Sequence, residues 1–174
     1  LAAEYIDAVT MQLILEHTNL RPLWKETPKV TLLFEVAGGN VNLHFPHDAL
    51  GSSEIAKKRN YWQYREIASD TWTALGKVHK LDVSVAVSVI AEFELSLQNL
   101  LSTFKGVETF GSFGHLADGN LHIEFVGPAI DYRLVQRGVG LAFASCCDAH
   151  GGRWRINDDA HLDAEPQSCQ WPLR

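Results

Sequence analysis

The stretch Phe113-Gly-His-Leu-Ala-Asp-Gly-Asn-Leu-His-Ile-Glu124 limits the folds open to this chain more than any other, because it encodes a turn and the strand that leaves it. Asp118-Gly119 is a strong turn signal, since Gly accepts positive φ and Asp bonds its own backbone two residues on. After it Leu121, Ile123 and Phe125 alternate with His122 and Glu124, so a strand is expected over Asn120 to Val126, joined by the turn to another over Val107 to Phe113. By that alternation His122 and Glu124 share a face, and His115 can fold back over it. Two imidazoles and a carboxylate form a ligand set that suits zinc, manganese or iron. A pair of hydrogen-bonded histidines beside a tight turn explains the same residues without an ion.

Elsewhere the chain alternates between helical and extended patterns. Tyr5, Ile6, Val9, Leu13 and Ile14 recur at helical spacing, which predicts an amphipathic helix over residues 3 to 17, stopped in the stretch from Asn19 to Pro22. Lys29 to Val36 is rich in apolar and β-branched residues and closes at Gly38-Gly39, as a strand does. From Ser53 a stripe of Tyr61, Tyr64, Ala68, Trp72 and Leu75 predicts a second helix ending at Gly76. Lys80 to Val87 reads as a strand, and Val89, Ile90, Phe93, Leu97, Leu100, Leu101 and Phe104 give the clearest amphipathic helix. Val135 to Ala144 extends to a further helix, weakened at Gly138 and Gly140 by about 1 kcal/mol each relative to Ala. Such an order favours an α+β fold, ferredoxin-like, with an antiparallel sheet and helices packed on one face.

Composition narrows the function classes. With 174 residues, 46% of them hydrophobic, the chain suits one globular core. A formal net charge of −6 argues against a general nucleic-acid binder, which needs cations to neutralise phosphates. No apolar run reaches the eighteen or so residues of a membrane span, and Leu1-Ala-Ala-Glu4 does not resemble a signal peptide. The three cysteines, Cys146, Cys147 and Cys169, are odd in number and two are adjacent, which fits a reducing compartment rather than a disulfide framework. The expected location is the cytoplasm, or the mitochondrial matrix in a eukaryote.

A second polar constellation lies upstream. Arg65 and Ser69 are four apart on the second helix, and His79-Lys80 opens the next strand. A guanidinium, a hydroxyl and an ammonium make a clamp for an acid substrate. The competing reading is a solvated helix face on which Arg65 pairs with Glu66 or Asp70.

Four segments together resemble a known family. Gly114-His-Leu-Ala-Asp-Gly-Asn-Leu-His122 is similar to the Gly-His-x-Gly-Asp-Gly-Asn-x-His signature of the C-terminal domain of the FAD-linked oxidases. Trp62-Gln-Tyr-Arg-Glu66, His79-Lys-Leu-Asp-Val-Ser-Val85 and Leu32-Leu-Phe-Glu-Val-Ala-Gly38 resemble that family's helix and strand motifs, in the same order, over roughly residues 1 to 126. The resemblance implies the substrate- and metal-binding domain of an FAD-dependent D-2-hydroxyacid dehydrogenase. It assigns His115 and His122 to catalysis and to a divalent metal such as zinc; Glu124, a departure from the family pattern, either adds a metal ligand or repels a bound carboxylate. It also assigns Arg65, Ser69 and Lys80 to the substrate carboxylate, and Asn120 to the flavin side. The implied partners are a small 2-hydroxy acid and a separate FAD-binding domain or subunit, with a homo-oligomer left open.

The departures from the family are specific. The family's flavin domain does not precede Leu1, so the chain by itself is expected to hold FAD poorly. The connection from Gly39 to Trp62 is short, Ala117 replaces a motif glycine, and Glu124 stands where family members acting on hydroxyglutarate carry Asn. Gln136-Arg-Gly-Val-Gly140 replaces the Glu-His segment that supplies the third metal ligand. Residues 145 to 174 show no periodicity and read as a non-family tail after a domain of residues 1 to 144. Their Cys146, Cys147, His150 and His161 lack the Cys-x-x-Cys bite of a zinc site. Two other readings remain: a non-catalytic binding or assembly module derived from this domain, and a metallohydrolase built on His115, His122 and Glu124.

Overall fold

A computed structural model of the chain describes residues 2–37, 49–128, 130, 131, 133, 135 and 137–140, and the backbone of 153–157. Six strands form one sheet in the order β2-β1-β4-β5-β3-β6, with every pairing antiparallel. The strands are β1 (Ala2–Asp7), β2 (Val30–Glu35), β3 (Val78–Ser84), β4 (Thr109–His115), β5 (Asn120–Val126) and β6 (Arg153–Asn157). The helices are α1 (Ala8–His17), α2 (Ile55–Glu66), α3 (Ala68–Thr73) and α4 (Ile90–Leu101). Backbone at Arg133, Val135 and residues 137–140 is also helical. The fold is α+β, as expected. The strand order does not by itself assign the ferredoxin-like layout.

Three elements differ from the sequence expectation. Residues 2 to 7 form a strand, not the first turns of a helix, and α1 begins only at Ala8. The spacing of Tyr5, Ile6 and Val9 suits a helix, but β1 is held on both edges, by β2 and by β4, and this pairing overrides a weak local preference. Asp7 marks the change: its Oδ1 accepts from Thr10 N at 2.7 Å as the cap of α1, and its Oδ2 accepts from Ser112 N at 3.0 Å. The long second helix divides at Ile67 into α2 and α3. In the segment read as lacking periodicity, β6 adds to β3, with Arg155 the register partner of Asp82. The expectations for Gly38-Gly39, Gln136, the cysteines, His150 and His161 lie outside the described residues.

Helices cover both faces of the sheet, which corrects the one-faced expectation. Adjacent residues of a strand point to opposite faces. Tyr5 belongs to a core with Leu81, Val83, Leu121, Ile123, Phe125 and the α4 residues Phe93, Leu97 and Leu101. Its neighbour Ile6 belongs to a second core with Ile14 of α1, Tyr64 of α2, Trp72 of α3, Phe113 and Val126. The strand pattern alone could not reveal this, because His122, Glu124 and Lys80 look solvent-facing in sequence yet lie beneath α2 and α3. At the hairpin, Gly119 has φ +72°, and a Cβ there would stand 1.8 Å from the carbonyl oxygen of Val85, so both backbone conformation and space demand glycine.

The α4 face encloses an acidic group. Glu94 is 8% exposed, and its Oε1 has no hydrogen-bond partner among the described residues. Burial, with nearby Asp7, pushes its carboxyl up from 4.5 to about 7. Burial also raises the carboxyl of Asp7 and the hydroxyl of Tyr5. A folded-state pKa above the unfolded one means that the fold binds the proton more tightly. Stability is therefore greatest below pH 4.5 for this group and falls as pH rises to about 7. Glu94→Gln is expected to leave stability nearly unchanged at pH 5 and to raise it at pH 8 by up to about 3 kcal/mol. Urea denaturation at the two pH values measures the difference, and an equal change at both would contradict the burial argument.

Candidate active site

Cross-strand pairs build the site. On the β3–β5 ladder Lys80 faces Glu124 and Asp82 faces His122. On the β4–β5 ladder Phe113 faces His122, and on the β1–β4 ladder Glu4 faces His115. Direct partners of this kind stand within about 5.5 Å at Cβ, so one sheet face collects all these groups. Helices α2 and α3 then add Arg65 and Ser69 from above. The result is a cleft of about 230 Å³ lined by Arg65, Ser69, Lys80, Asp82, Phe113, His122 and Glu124. Ligand pockets usually run to about 300–1,000 Å³, so this one suits an acid of a few carbons rather than a dinucleotide.

Each imidazole is oriented by a carboxylate. His122 Nδ1 lies 2.5 Å from Asp82 Oδ1, and His115 Nδ1 lies 3.0 Å from Glu4 Oε1. A ring nitrogen held on a carboxylate carries the proton, which leaves Nε2 to accept one or to ligate. The two rings meet edge to face with centroids 5.8 Å apart. Glu4 also binds the helix arginine, its Oε2 accepting from Arg65 Nε at 2.8 Å, while the Arg65 guanidinium lies 5.1 Å from the centre of the Phe113 ring. Arg65 thus pairs with Glu4, and not with Glu66 or Asp70. Only its Nε is engaged in hydrogen bonding among the described residues, so the Nη groups are left for a ligand.

The Ser69 and Lys80 end is directed at an acid within the protein. Lys80 Nζ donates to Ser69 Oγ at 2.8 Å, Ser69 Oγ donates to Glu124 Oε1 at 2.8 Å, and Lys80 Nζ is 3.5 Å from the same oxygen. Glu124 is 1% exposed, and its Oε2 is buried with no hydrogen-bond partner among the described residues. Burial pushes this carboxyl above its usual range, against the opposing pull of Ser69, Lys80 and His122. Asn120 stands at the turn as the register partner of His115, its backbone N donating to Asp118 Oδ1 at 3.1 Å, and its Oδ1 is buried without a partner among the described residues.

Arg65, Ser69, Lys80, His122 and Glu124 therefore line one cleft, while His115, whose ring meets that of His122, and its register partner Asn120 are not among the lining residues. The three-point metal cluster expected from His115, His122 and Glu124 does not form: no group of three or more His, Cys, Asp or Glu able to hold an ion occurs among the described residues. The reason is local, since Glu124 turns its carboxylate to Ser69 and Lys80. Sequence reasoning missed Glu4 and Asp82. Asp82 was within reach, because alternation on β3 puts it on the face of Lys80; Glu4 was hidden when β1 was read as helix.

The sequence model described as "FAD linked oxidases, C-terminal domain" matches residues 1–129, a span that takes in every residue of the cleft. The chain belongs to that family. It is 28% identical over 149 residues to a mitochondrial D-2-hydroxyglutarate dehydrogenase of Danio rerio, a match that covers 77% of the chain and 27% of the relative. The same-named protein of Rattus norvegicus is 26% identical over 149 residues, covering 77% of the chain and 27% of the relative. That of Arabidopsis thaliana is 25% identical over 150 residues, covering 77% and 26%. The chain thus spans about a quarter of the length of these relatives. No helix among the described residues is long and apolar enough to cross a membrane.

Proposed function

We propose that this FAD-linked oxidase domain is the substrate side of a dehydrogenase that converts a D-2-hydroxy acid to the 2-oxo acid, with a flavin-binding domain as its partner. The observation that carries the reading is the cleft in which a carboxylate-oriented imidazole, His122, shares walls with Arg65 and Lys80. Arg65 offers its Nη groups to the C1 carboxylate, and guanidinium geometry matches that fork. His122 Nε2 takes the proton of the 2-hydroxyl, while Asp82 on Nδ1 holds the tautomer that permits it and stabilises the imidazolium formed. The C2 hydrogen leaves as hydride, so that with the hydroxyl proton taken by His122 the substrate loses two electrons and two protons in all and a carbonyl forms. A bound flavin supplies the acceptor for that hydride. Asn120, with a buried side-chain oxygen that has no partner among the described residues, is the residue of this chain suited to meet it.

A divalent ion fits the described residues only in part. Both imidazoles have the carboxylate on Nδ1 that usually accompanies metal-ligating histidine, but a third donor is lacking among the described residues. The relatives' mitochondrial designation supports a matrix location and the family supports a small-acid partner. A second reading, a non-catalytic assembly module, is favoured by one observation: Val30, Leu32 and Phe34 expose an apolar row on the edge strand β2, at 45–47% exposure. The two separate in one assay. Mixing the chain with a flavin-binding domain of a relative should give dye reduction that depends on a D-2-hydroxy acid and that neither part gives alone. Association without dye reduction for any 2-hydroxy acid would favour the module.

A further inference from the structure

The cleft carries a specificity device at Glu124, and this inference rests on the substrate-site reading above. Lining the cleft are two cations, Arg65 and Lys80, and two acids, Asp82 and Glu124, so the walls hold no surplus positive charge. Arg65 is held by Glu4, and the Ser69 and Lys80 donors converge on Glu124 Oε1. Glu124 Oε2 is different: on a residue that lines the cleft, it is buried and has no donor among the described residues. A buried carboxylate oxygen without a donor is costly, and a ligand hydrogen-bond donor reaching it removes that cost. A ligand carboxylate at the same place meets like charge and leaves both acids unsatisfied.

We propose that Glu124 selects 2-hydroxy acids having a single carboxylate and a side chain that ends in a hydrogen-bond donor, and that it excludes those ending in a second carboxylate. Arg65 takes the C1 carboxylate. The Ser69, Lys80 and Glu124 corner takes the tip of the side chain, Oε2 accepting from it while Lys80 and Ser69 fix the acid. Such a site discriminates through the partner that it would leave unpaired, which rejects a wrong tip more strongly than shape alone does.

The test is a titration of the isotope-labelled 174-residue chain, followed by amide NMR at pH 8, with D-2-hydroxyglutarate and with its 5-amide, two ligands of equal length whose tips differ only in charge and donors. The amide is expected to bind more tightly by roughly tenfold or more, the scale of a like-charge contact in a partly desolvated site. Shifts should concentrate at Arg65, Ser69, Lys80, His122 and Glu124. In Glu124→Gln, which keeps the shape and supplies a donor, the preference should fall to parity or reverse, with the dispersion of the spectrum reporting that the fold is intact. Equal or tighter binding of the dicarboxylate to the unaltered chain overturns the role of Glu124 and leaves the substrate-site reading standing. Absence of shifts at these residues with either acid overturns both.

Discussion

With a flavin-binding domain supplied, His122→Ala is expected to lower kcat for 2-hydroxy-acid oxidation by roughly a hundred- to ten-thousandfold, the range of a lost general base. The fold should survive the change, because the His122 side chain lines the cleft and does not belong to either apolar cluster. Asp82→Asn tests the same unit from behind. It keeps the size of the group but removes the charge that fixes the Nδ1 proton, and a loss of about ten- to a hundredfold is expected, as for other residues that orient a functional imidazole. Steady-state kinetics on both variants, with circular dichroism as the control for folding, measure this. Equal kcat in His122→Ala and the unaltered chain would remove the imidazole from the reaction.

Trp72→Ala is expected to cost about 3–5 kcal/mol of stability, the upper range for truncating a buried aromatic residue. Trp72 is fully buried, its Nε1 donates to Thr10 Oγ1 at 3.3 Å, and its ring occupies the space that a side chain at residue 111 would fill. A Cβ on Gly111 would lie 2.7 Å from Trp72 Cζ2, which explains glycine in the middle of β4. The packing has a functional consequence. Trp72 anchors the six-residue α3, which carries Ser69 into the cleft, so its loss loosens the corner around Glu124 as well as the core. Urea unfolding gives the stability change, and a cost below 1 kcal/mol would show that α3 is held by something other than this ring.

The hairpin was the most legible part of the chain. The run from Asn120 to Val126 forms β5 with the expected bounds, because a turn signal and strict alternation agree there. Arg65, Ser69, Lys80 and His122 line one cleft, even though the helix carrying the first two is broken at Ile67. Illegible were the features decided by distant partners. Ala2–Asp7 has apolar spacing compatible with a helix, and only pairing with β2 and β4 makes it a strand, so Glu4 could not be placed beside Arg65 and His115. Arg153–Asn157 joins the sheet through backbone bonds to β3 in a segment whose side chains show no period. For Glu124 the sequence fixes the residue's face but not its rotamer, and the rotamer decides between metal ligand and partner of Ser69.

In the proposed reaction the Arg65 to His122 cleft receives the acid that reduces the flavin. The anaerobic reductive half-reaction tests this, with the chain joined to a flavin-binding domain of a relative and flavin absorbance followed after mixing with a D-2-hydroxy acid. Bleaching is expected with the unaltered chain, at least tenfold slower bleaching in Arg65→Met on the scale of a lost charged hydrogen bond, and full bleaching of both by dithionite. Bleaching of Arg65→Met at the unaltered rate, at substrate concentrations below saturation, would contradict it.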